Sequence, residues 1–169
     1  MRSCAILVEP INHKMKLTVR MKKERFKATV AAALLLIQNG KILLMRRANT
    51  GFGDGLYGLP GGSIEGNEPI KTALIRESNE ELGITLLDED VLFSSVLHIA
   101  PHFRTPSEVF LFGFRCEKFQ GTVENKEPDK CDDLSFFLLD QLPENILEGS
   151  KQMIFNLLSG SHFSELHWQ

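Results

Sequence analysis

The segment GSIEGNEPIKTALIRESNEELGI, residues 62–84, contains a helix whose two ends can be recognised from its own residues. Asn67 is a good N-terminal cap, and an acid and a proline, Glu68 and Pro69, follow in the first turn, where both are favoured. Gly83 is a typical terminator, because glycine readily adopts the left-handed conformation that ends many helices. The sequence therefore predicts a helix of about 15 residues in this segment.

Three glutamates share one face of this predicted helix. At about 100° per residue, Glu77, Glu80 and Glu81 fall within an arc of about 100°. A separate arc is assigned to the core and contains Ile75, Ser78 and Leu82. The helix dipole opposes negative charge in the last turn, and Glu77 and Glu81 also repel each other as an i,i+4 pair. A solvated acidic face is one interpretation; a site for a divalent cation is the other, since carboxylate oxygens suit magnesium or manganese.

The spacing of these residues resembles the Nudix box of the Nudix hydrolases. Eight positions match the pattern of that family: Gly62, Glu68, Arg76, Glu77, Glu80, Glu81, Gly83 and Ile84. Ser78 is the one departure, at a position where the family usually has a larger apolar residue. The resemblance implies the α/β class and the Nudix fold, a mixed β-sheet sandwiched between α-helices (α/β/α) with the box as a loop–helix–loop.

Alternating strand and helix patterns on both sides of the box also indicate the α/β class. The apolar run that ends at Ile37 predicts a buried strand, Asn39-Gly40 a tight turn, and Lys41–Arg47 the partner strand. Further strands are predicted at Val91–Ile99, Glu108–Phe119 and Leu134–Leu139, and a helix over Met153–Leu158 that Gly160 closes. We expect one Nudix hydrolase domain over residues 25–169, preceded by an N-terminal extension of uncertain structure at residues 1–24.

Charge and amino-acid composition argue against several classes of binding partner. The formal net charge of -3 offers no electrostatic basis for binding nucleic acid, and no apolar run is as long as a membrane span. The three cysteines are odd in number and widely spaced, which indicates neither a disulfide framework nor a zinc site and fits a reducing, cytoplasmic location. A small-molecule nucleotide is the expected partner, and the chain is expected to be a monomer or a homodimer.

The resemblance implies divalent-metal-dependent hydrolysis of a nucleoside diphosphate linked to another group, with Mg²⁺ as the cofactor and Mn²⁺ as a possible substitute. Glu77 and Glu81 match the main metal ligands of the family, Glu80 would share a further ion, and the carbonyl of Gly61 matches a backbone ligand. Arg76 matches the arginine that orients these carboxylates.

The general base is expected at Glu127, in the segment NKEPDKC, because a glutamate in this downstream loop completes the site in the nucleoside-triphosphate branch of the family. Glu77 is the second candidate, and an exposed loop acid without a catalytic role is the alternative for Glu127. Loss of a general base lowers turnover by a hundredfold or more, so this assignment can be tested directly.

Candidate substrate contacts lie on three predicted strands and in the loop that follows Ile99. One of Arg46 and Arg47 is expected to bind a phosphate, because the planar guanidinium can grip phosphate in two places; a surface pair at a strand end is the alternative. Phe136 could form a base-stacking wall, although aromatics at strand spacing are more often core. His98 and His102 could contact the ligand, and a core histidine is at least as good an interpretation of His98.

Three functions are compatible with this pattern. The segment RRANTGFGDGLYGLPGG, residues 46–62, and the loop around Glu127 favour a nucleoside triphosphate, or a modified one, cleaved to a monophosphate and pyrophosphate. Pro101 lies near a proline typical of ADP-ribose and nucleotide-sugar pyrophosphatases in the family, which is the alternative substrate class. A nucleotide-sensing Nudix module without catalysis is the third, and the intact set of box acids argues against it.

Overall fold

Eight β-strands and two α-helices alternate along residues 26–103 and 105–168, which are the residues that this computed structural model describes. The predicted N-terminal extension, residues 1–24, lies outside the described residues. In chain order the elements are β1 (Thr29–Gln38), β2 (Lys41–Arg47), β3 (Tyr57–Gly58), β4 (Gly61–Ser63), α1 (Ile70–Leu82), β5 (Leu92–Ile99), β6 (Val109–Cys116), β7 (Cys131–Leu138), α2 (Glu148–Ser159) and β8 (Phe163–Leu166), with a 3₁₀ turn at Asp88–Asp90 before β5.

The sheet is mixed, and β1 changes its neighbour along its length. The strand order is β3-β2-β1-β6-β5-β8, with β4 added to β1 and β7 added to β2. On one side β1 pairs with β6 in parallel over most of its length, from Thr29 to Leu36. On the other side its end pairs with β2, and Ala31–Ala33 pair with β4. The loop that precedes α1 is therefore hydrogen-bonded to the middle of the sheet.

The two helices cover opposite faces of this sheet, as the α/β/α prediction requires. Successive side chains of a strand point to opposite faces. Leu34 and Leu36 of β1 accordingly pack in one apolar cluster with Leu74 and Leu82 of α1. Leu35, between them, packs in a second cluster with Ile154 of α2. Burial of β1 on both faces explains why its sequence is almost continuously apolar.

Helix α1 starts later than its sequence predicts. It begins at Ile70, with Pro69 as the residue before it, and has 13 residues. Asn67 does not cap the helix; it has a positive φ of 72° in the preceding turn. The predicted end is correct, because Gly83 adopts the left-handed conformation with φ of 68°. Ser78 is buried and its hydroxyl donates to the carbonyl of Leu74, 2.7 Å away, so the polar residue is satisfied within the helix.

Strand β8 has no counterpart in the sequence predictions. It pairs in parallel with β5 at the edge of the sheet and is only four residues long, with a half-exposed pattern that resembles a loop. All the strands that the sequence predicts are present, and their ends lie within a few residues of the expected positions. The turn between β1 and β2 also forms as predicted, with positive φ at both Asn39 and Gly40, the geometry of a tight hairpin. No helix in the part of the chain described here is long and apolar enough to span a membrane.

Candidate active site

Two consecutive glycines let the backbone before α1 approach both the sheet and the acidic helix. Gly61 has a φ of 129°, and a side chain there would place its Cβ 2.2 Å from the carbonyl oxygen of Ala32. At Gly62 an added Cβ would lie 2.5 Å from Oε1 of Glu77. Both distances are too short for any other residue without local rearrangement. The glycines therefore bring the carboxylate of Glu77 directly against the backbone of β4.

Glu81 is the most deeply placed of the three box acids. Only 9% of the Glu81 surface is exposed, and its Oε2 accepts a hydrogen bond of 2.7 Å from the backbone N–H of Gly61. Burial, together with the negative charges of Glu77 and Glu127, raises the pKa of Glu81 to about 8, whereas the Gly61 N–H and the charge of Arg47 act in the opposite direction. A cation placed among these acids would favour the charged form, since it replaces repulsion by attraction.

Arg76 connects the carboxylates around it. Its guanidinium lies 2.9 Å from Glu68, 2.9 Å from Glu77 and 3.1 Å from Glu80, and the hydrogen bond with Glu68 is the largest cause of the upward shift in the Arg76 pKa. Glu68 also accepts the backbone N–H of Glu65 at 2.7 Å, which ties the loop before α1 to the helix. Arg76 and Glu68 together therefore connect the loop before α1 to the acids of the helix.

The predicted metal ligands have the right chemistry but are engaged with other partners. Among the described residues, no group of three or more His, Cys, Asp or Glu side chains is arranged to hold a metal ion. Arg76 contacts Glu77 and Glu80, and the oxygen of Glu81 nearest to Gly61 accepts its N–H. The donors are all hard oxygens, and Glu81 is an acid whose ionisation a cation would favour. This donor set fits magnesium or manganese, once the carboxylates exchange their present partners.

The loop that carries Glu127 is attached to the C-terminal end of α1. The backbone N–H of Glu124 donates to the carbonyl of Leu82, and that of Lys126 donates to the carbonyl of Glu81, each at 3.0 Å. Glu127 then lines the same cleft as Glu81, with Nζ of Lys130 2.7 Å from its Oε1. The structure thus brings together two acids that are far apart in the chain, and it adds Lys130, which the sequence analysis did not single out.

The two adjacent arginines at the end of β2 point to different places, because neighbouring strand residues face opposite sides. Arg47 lines the cleft; its Nε donates to the carbonyl of Phe52 at 2.7 Å, and its guanidinium lies 5.3 Å from the centre of the Phe52 ring. Arg46 pairs with Asp132 at 2.7 Å and does not line the cleft. Arg47 is therefore the member of the pair in position to reach a phosphate.

Two other predicted substrate contacts, His98 and Phe136, lie away from the cleft. The ring of His98 stacks on Phe110 at a centroid distance of 4.2 Å, and its Nε2 lies 2.8 Å from Glu108. Phe136 packs against the apolar cluster beneath α1. His98 lies on the face of β5 opposite to Ile99, which lines the cleft. Phe136 lies opposite Leu43 on the face of the sheet that α1 covers, so both side chains occupy packing positions.

The cleft has a volume of about 640 Å³, which is in the range of small-molecule sites. Its walls include the box acid Glu81, the start of α2, the end of β8 and residues of two loops, namely Thr50, Phe52, His102, Phe103, Thr105, Pro106 and Ser107. His102, a candidate in the sequence analysis, lines it; Glu148 and His167 line it as well and had no signal in the sequence, since neither belongs to a motif.

A family model described as a NUDIX domain matches residues 27–157 of the chain. The chain belongs to the Nudix family. The match covers both the box and the loop of Glu127, and it ends within α2, so that β8 lies beyond it.

The chain is also similar to two named pyrophosphate-cleaving enzymes and to a solved Nudix structure. The chain is 29% identical over 133 residues to an ADP-ribose pyrophosphatase of Methanocaldococcus jannaschii, which covers 78% of this chain and 75% of the relative. It is 32% identical over 97 residues to a CTP pyrophosphohydrolase of Escherichia coli K12, covering 56% and 67%. The crystal structure of a MutT Nudix hydrolase from Burkholderia pseudomallei superposes with a TM-score of 0.71 at 27% identity, covering 78% of this chain and 98% of that one. The protein is a Nudix hydrolase that acts on pyrophosphate bonds.

Proposed function

We propose that this Nudix hydrolase cleaves a nucleoside triphosphate, or a modified one, to a nucleoside monophosphate and pyrophosphate with magnesium as the cofactor. The observation that carries the proposal is the meeting of Glu127 with Glu81 in one cleft, where Arg47 and Lys130 add positive charge. The acid of the downstream loop is the feature that the sequence shares with the triphosphate branch. Its attachment to the end of α1 supports a role in the reaction, because a bystander loop acid would not need to lie beside the buried box acid.

The chemistry follows from charge. A pyrophosphate group is anionic, so a water molecule attacks its phosphorus slowly unless the charge is compensated and a proton is removed. Glu77 and Glu81, with Glu80 and the Gly61 carbonyl, would hold magnesium, which supplies positive charge to the phosphate oxygens and favours deprotonation of water. Glu127 accepts the proton of the attacking water, and Arg47 binds a phosphate oxygen through its planar guanidinium. Arg76 keeps the box carboxylates in position.

ADP-ribose, or another nucleotide sugar, is the second candidate substrate. The specific observation in its favour is the similarity to the ADP-ribose pyrophosphatase of Methanocaldococcus jannaschii, which extends over 78% of this chain. A sensor without catalysis is disfavoured, because Glu77, Glu80 and Glu81 are all present in the box.

A panel of nucleotides tests the proposal. The four common ribonucleoside triphosphates, their deoxy forms, an oxidised guanine triphosphate and ADP-ribose are incubated with the protein and magnesium, and the products are separated by chromatography. We expect a monophosphate and pyrophosphate in equal amounts from at least one triphosphate, with kcat/KM well above that for ADP-ribose. Faster cleavage of ADP-ribose to AMP and ribose 5-phosphate would replace the proposal by its alternative. A chelator control and the Glu81→Gln variant identify any contaminating activity.

A further inference from the structure

The amino group of Lys130 is bound to the carboxylate that we propose as the general base. Its Nζ lies 2.7 Å from Oε1 of Glu127, and both residues line the cleft. This hydrogen bond is the largest cause of the upward shift in the Lys130 pKa, and the negative charges of Glu127, Glu81 and Glu77 act in the same direction. Lys130 is therefore a cation at neutral pH. The lone pair of Glu127 that accepts its hydrogen bond cannot at the same time accept a proton from water.

Backbone hydrogen bonds fix the position of Lys130 next to the other cation of the cleft. Its N–H donates to the carbonyl of Glu127 at 2.9 Å, and its own carbonyl accepts from the N–H of Ala48 at 2.8 Å. The next residue, Cys131, lies opposite Arg47 in the register of β2 and β7. Among the lining residues that the structure describes, Arg47 and Lys130 are the only Arg and Lys. Two cations on neighbouring strands thus reach the cleft, and a change of partner by Lys130 requires only its side chain to move.

The ion pair between Lys130 and Glu127 is exposed. Of the Lys130 side chain 61% is exposed, and of the Glu127 side chain 28%. Exposed pairs contribute little to stability, because water competes for both partners. Lysine is a common phosphate ligand, since its amino group is a compact charge at the end of a flexible four-carbon chain. A polyphosphate carries more negative charge than one carboxylate, so it is the stronger partner for Lys130 once it enters the cleft.

We propose that Lys130 exchanges Glu127 for a phosphate oxygen of the substrate, so that binding of the phosphates releases the general base. The proposal deepens the proposed function and rests on Glu127 being the base for cleavage of a phosphoanhydride. In the free protein the ion pair keeps an oxygen of the base engaged. In the complex Lys130 compensates phosphate charge together with Arg47, and Glu127 is left to accept the proton of the attacking water. Lys130 is thus a substrate-binding residue that couples occupancy of the cleft to the state of the base.

Binding of inorganic pyrophosphate in the presence of magnesium, measured by calorimetry, tests the exchange without hydrolysis of a nucleotide. Lys130→Gln should bind pyrophosphate about tenfold or more weakly than the wild type, because a charge-assisted hydrogen bond is lost. Lys130→Arg keeps the charge and should stay within about threefold. Lys126→Gln is the matched control, since it removes a lysine of the same loop that pairs with Glu124 outside the cleft. Its affinity should stay within about twofold of wild type.

The exchange predicts the opposite effect for Glu127→Gln. This variant should bind pyrophosphate about threefold more tightly than the wild type, because Lys130 no longer has to leave an ion pair of the exposed kind. The gain should disappear when Lys130→Gln is present as well. A gain that came only from removal of a repulsive negative charge would remain in the double variant. The double-mutant cycle therefore distinguishes exchange of partners from a general effect of charge.

Steady-state hydrolysis with magnesium separates substrate binding by Lys130 from a role in orienting Glu127. Lys130→Gln should raise KM by about tenfold and keep kcat within about threefold, because the phosphate loses a ligand while the base stays in place. A residue that only orients the base would instead lower kcat and leave the affinity for pyrophosphate unchanged. Thermal unfolding of each variant shows that it is folded under the conditions of the assay.

The proposal is overturned if Lys130→Gln binds pyrophosphate as the wild type does, or if Lys126→Gln loses as much affinity as Lys130→Gln. It is also overturned if Glu127→Gln gains no affinity, or if its gain survives in the double variant. The binding measurements separate these results from the proposed function. A protein that cleaves ADP-ribose and no triphosphate, yet shows the coupling between Lys130 and Glu127, contradicts the proposed substrate and supports the exchange.

Discussion

The backbone N–H of Gly61 donates a 2.7 Å hydrogen bond to the buried carboxylate of Glu81, twenty residues further along the chain. This contact joins strand β4, which is paired to the centre of the sheet, to the last turn of α1. The acid is therefore held in a fixed position inside the cleft, where its ionisation depends on the charges around it.

Glu81→Gln should remove most of the metal-dependent activity while the protein stays folded. The amide keeps an oxygen that can accept a hydrogen bond from the Gly61 N–H, but the substitution removes the negative charge that attracts a cation. We therefore expect kcat to fall on the order of a thousandfold. Steady-state kinetics with increasing magnesium, together with thermal unfolding, measure both effects. The matched control is Glu89→Gln, an exposed acid in the 3₁₀ turn, which should behave as wild type. Wild-type turnover by Glu81→Gln would contradict the metal assignment.

The metal-free protein should lose stability as the pH rises from about 4.5 to about 8. Burial raises the pKa of Glu81 to about 8 from an ordinary 4.5, so the folded state holds a proton that the unfolded state has already released. This contribution is fully present below the unfolded pKa and disappears as the pH passes the folded one. Melting temperatures in chelator across this range test the sign, and Glu81→Gln should remove this part of the slope. Magnesium should restore stability at high pH in the wild type only. Identical slopes in both proteins would mean that other groups dominate.

Glu127→Gln should lower kcat by about a hundredfold to ten-thousandfold with little change in KM, because a general base acts only as the proton leaves water. The acidic limb of the pH profile of kcat should disappear with it. Glu124→Gln is the control, since Glu124 is an exposed acid of the same loop that pairs with Lys126. Turnover within a few-fold of wild type, with the acidic limb intact, would show that Glu127 is not the general base. Glu77, the second candidate, would then be the expected base.

Arg47→Ala and Arg46→Ala should separate the adjacent arginines. Arg47 lines the cleft, whereas Arg46 is paired with Asp132 outside it. A lost charge-assisted bond to a phosphate amounts to roughly 1.5–3 kcal/mol, so kcat/KM of Arg47→Ala should fall by about ten- to a hundredfold. Arg46→Ala should stay within about threefold of wild type in the same assay. The reverse order would show that Arg46 turns into the cleft when substrate binds.

Local features of the fold could be predicted from the sequence because short-range preferences determine them. The Asn39-Gly40 turn, the end of α1 at Gly83 and the position of β1 depend on backbone conformation and on the period of apolar residues. The box acids could be assigned to one helix because residues three and four apart share a helix face. The predicted start of α1 is wrong. Glu68 forms a salt bridge with Arg76, eight residues later, and Asn67 adopts a positive φ in the preceding turn instead of capping the helix.

Only the tertiary structure decided which candidates share the cleft. Side chains alternate along β2, so Arg47 points into the cleft and Arg46 points away from it. The same alternation along β5 places His98 against Phe110, on the strand face opposite to the cleft. The position of Glu127 beside Glu81 depends on backbone hydrogen bonds between a loop and the end of a helix, and His167 reaches Glu148 only because β8 adds to the edge of the sheet. Contacts of this kind join residues far apart in the chain, and their free energy comes from burial and pairing across the whole sheet. No local pattern in the sequence encodes them.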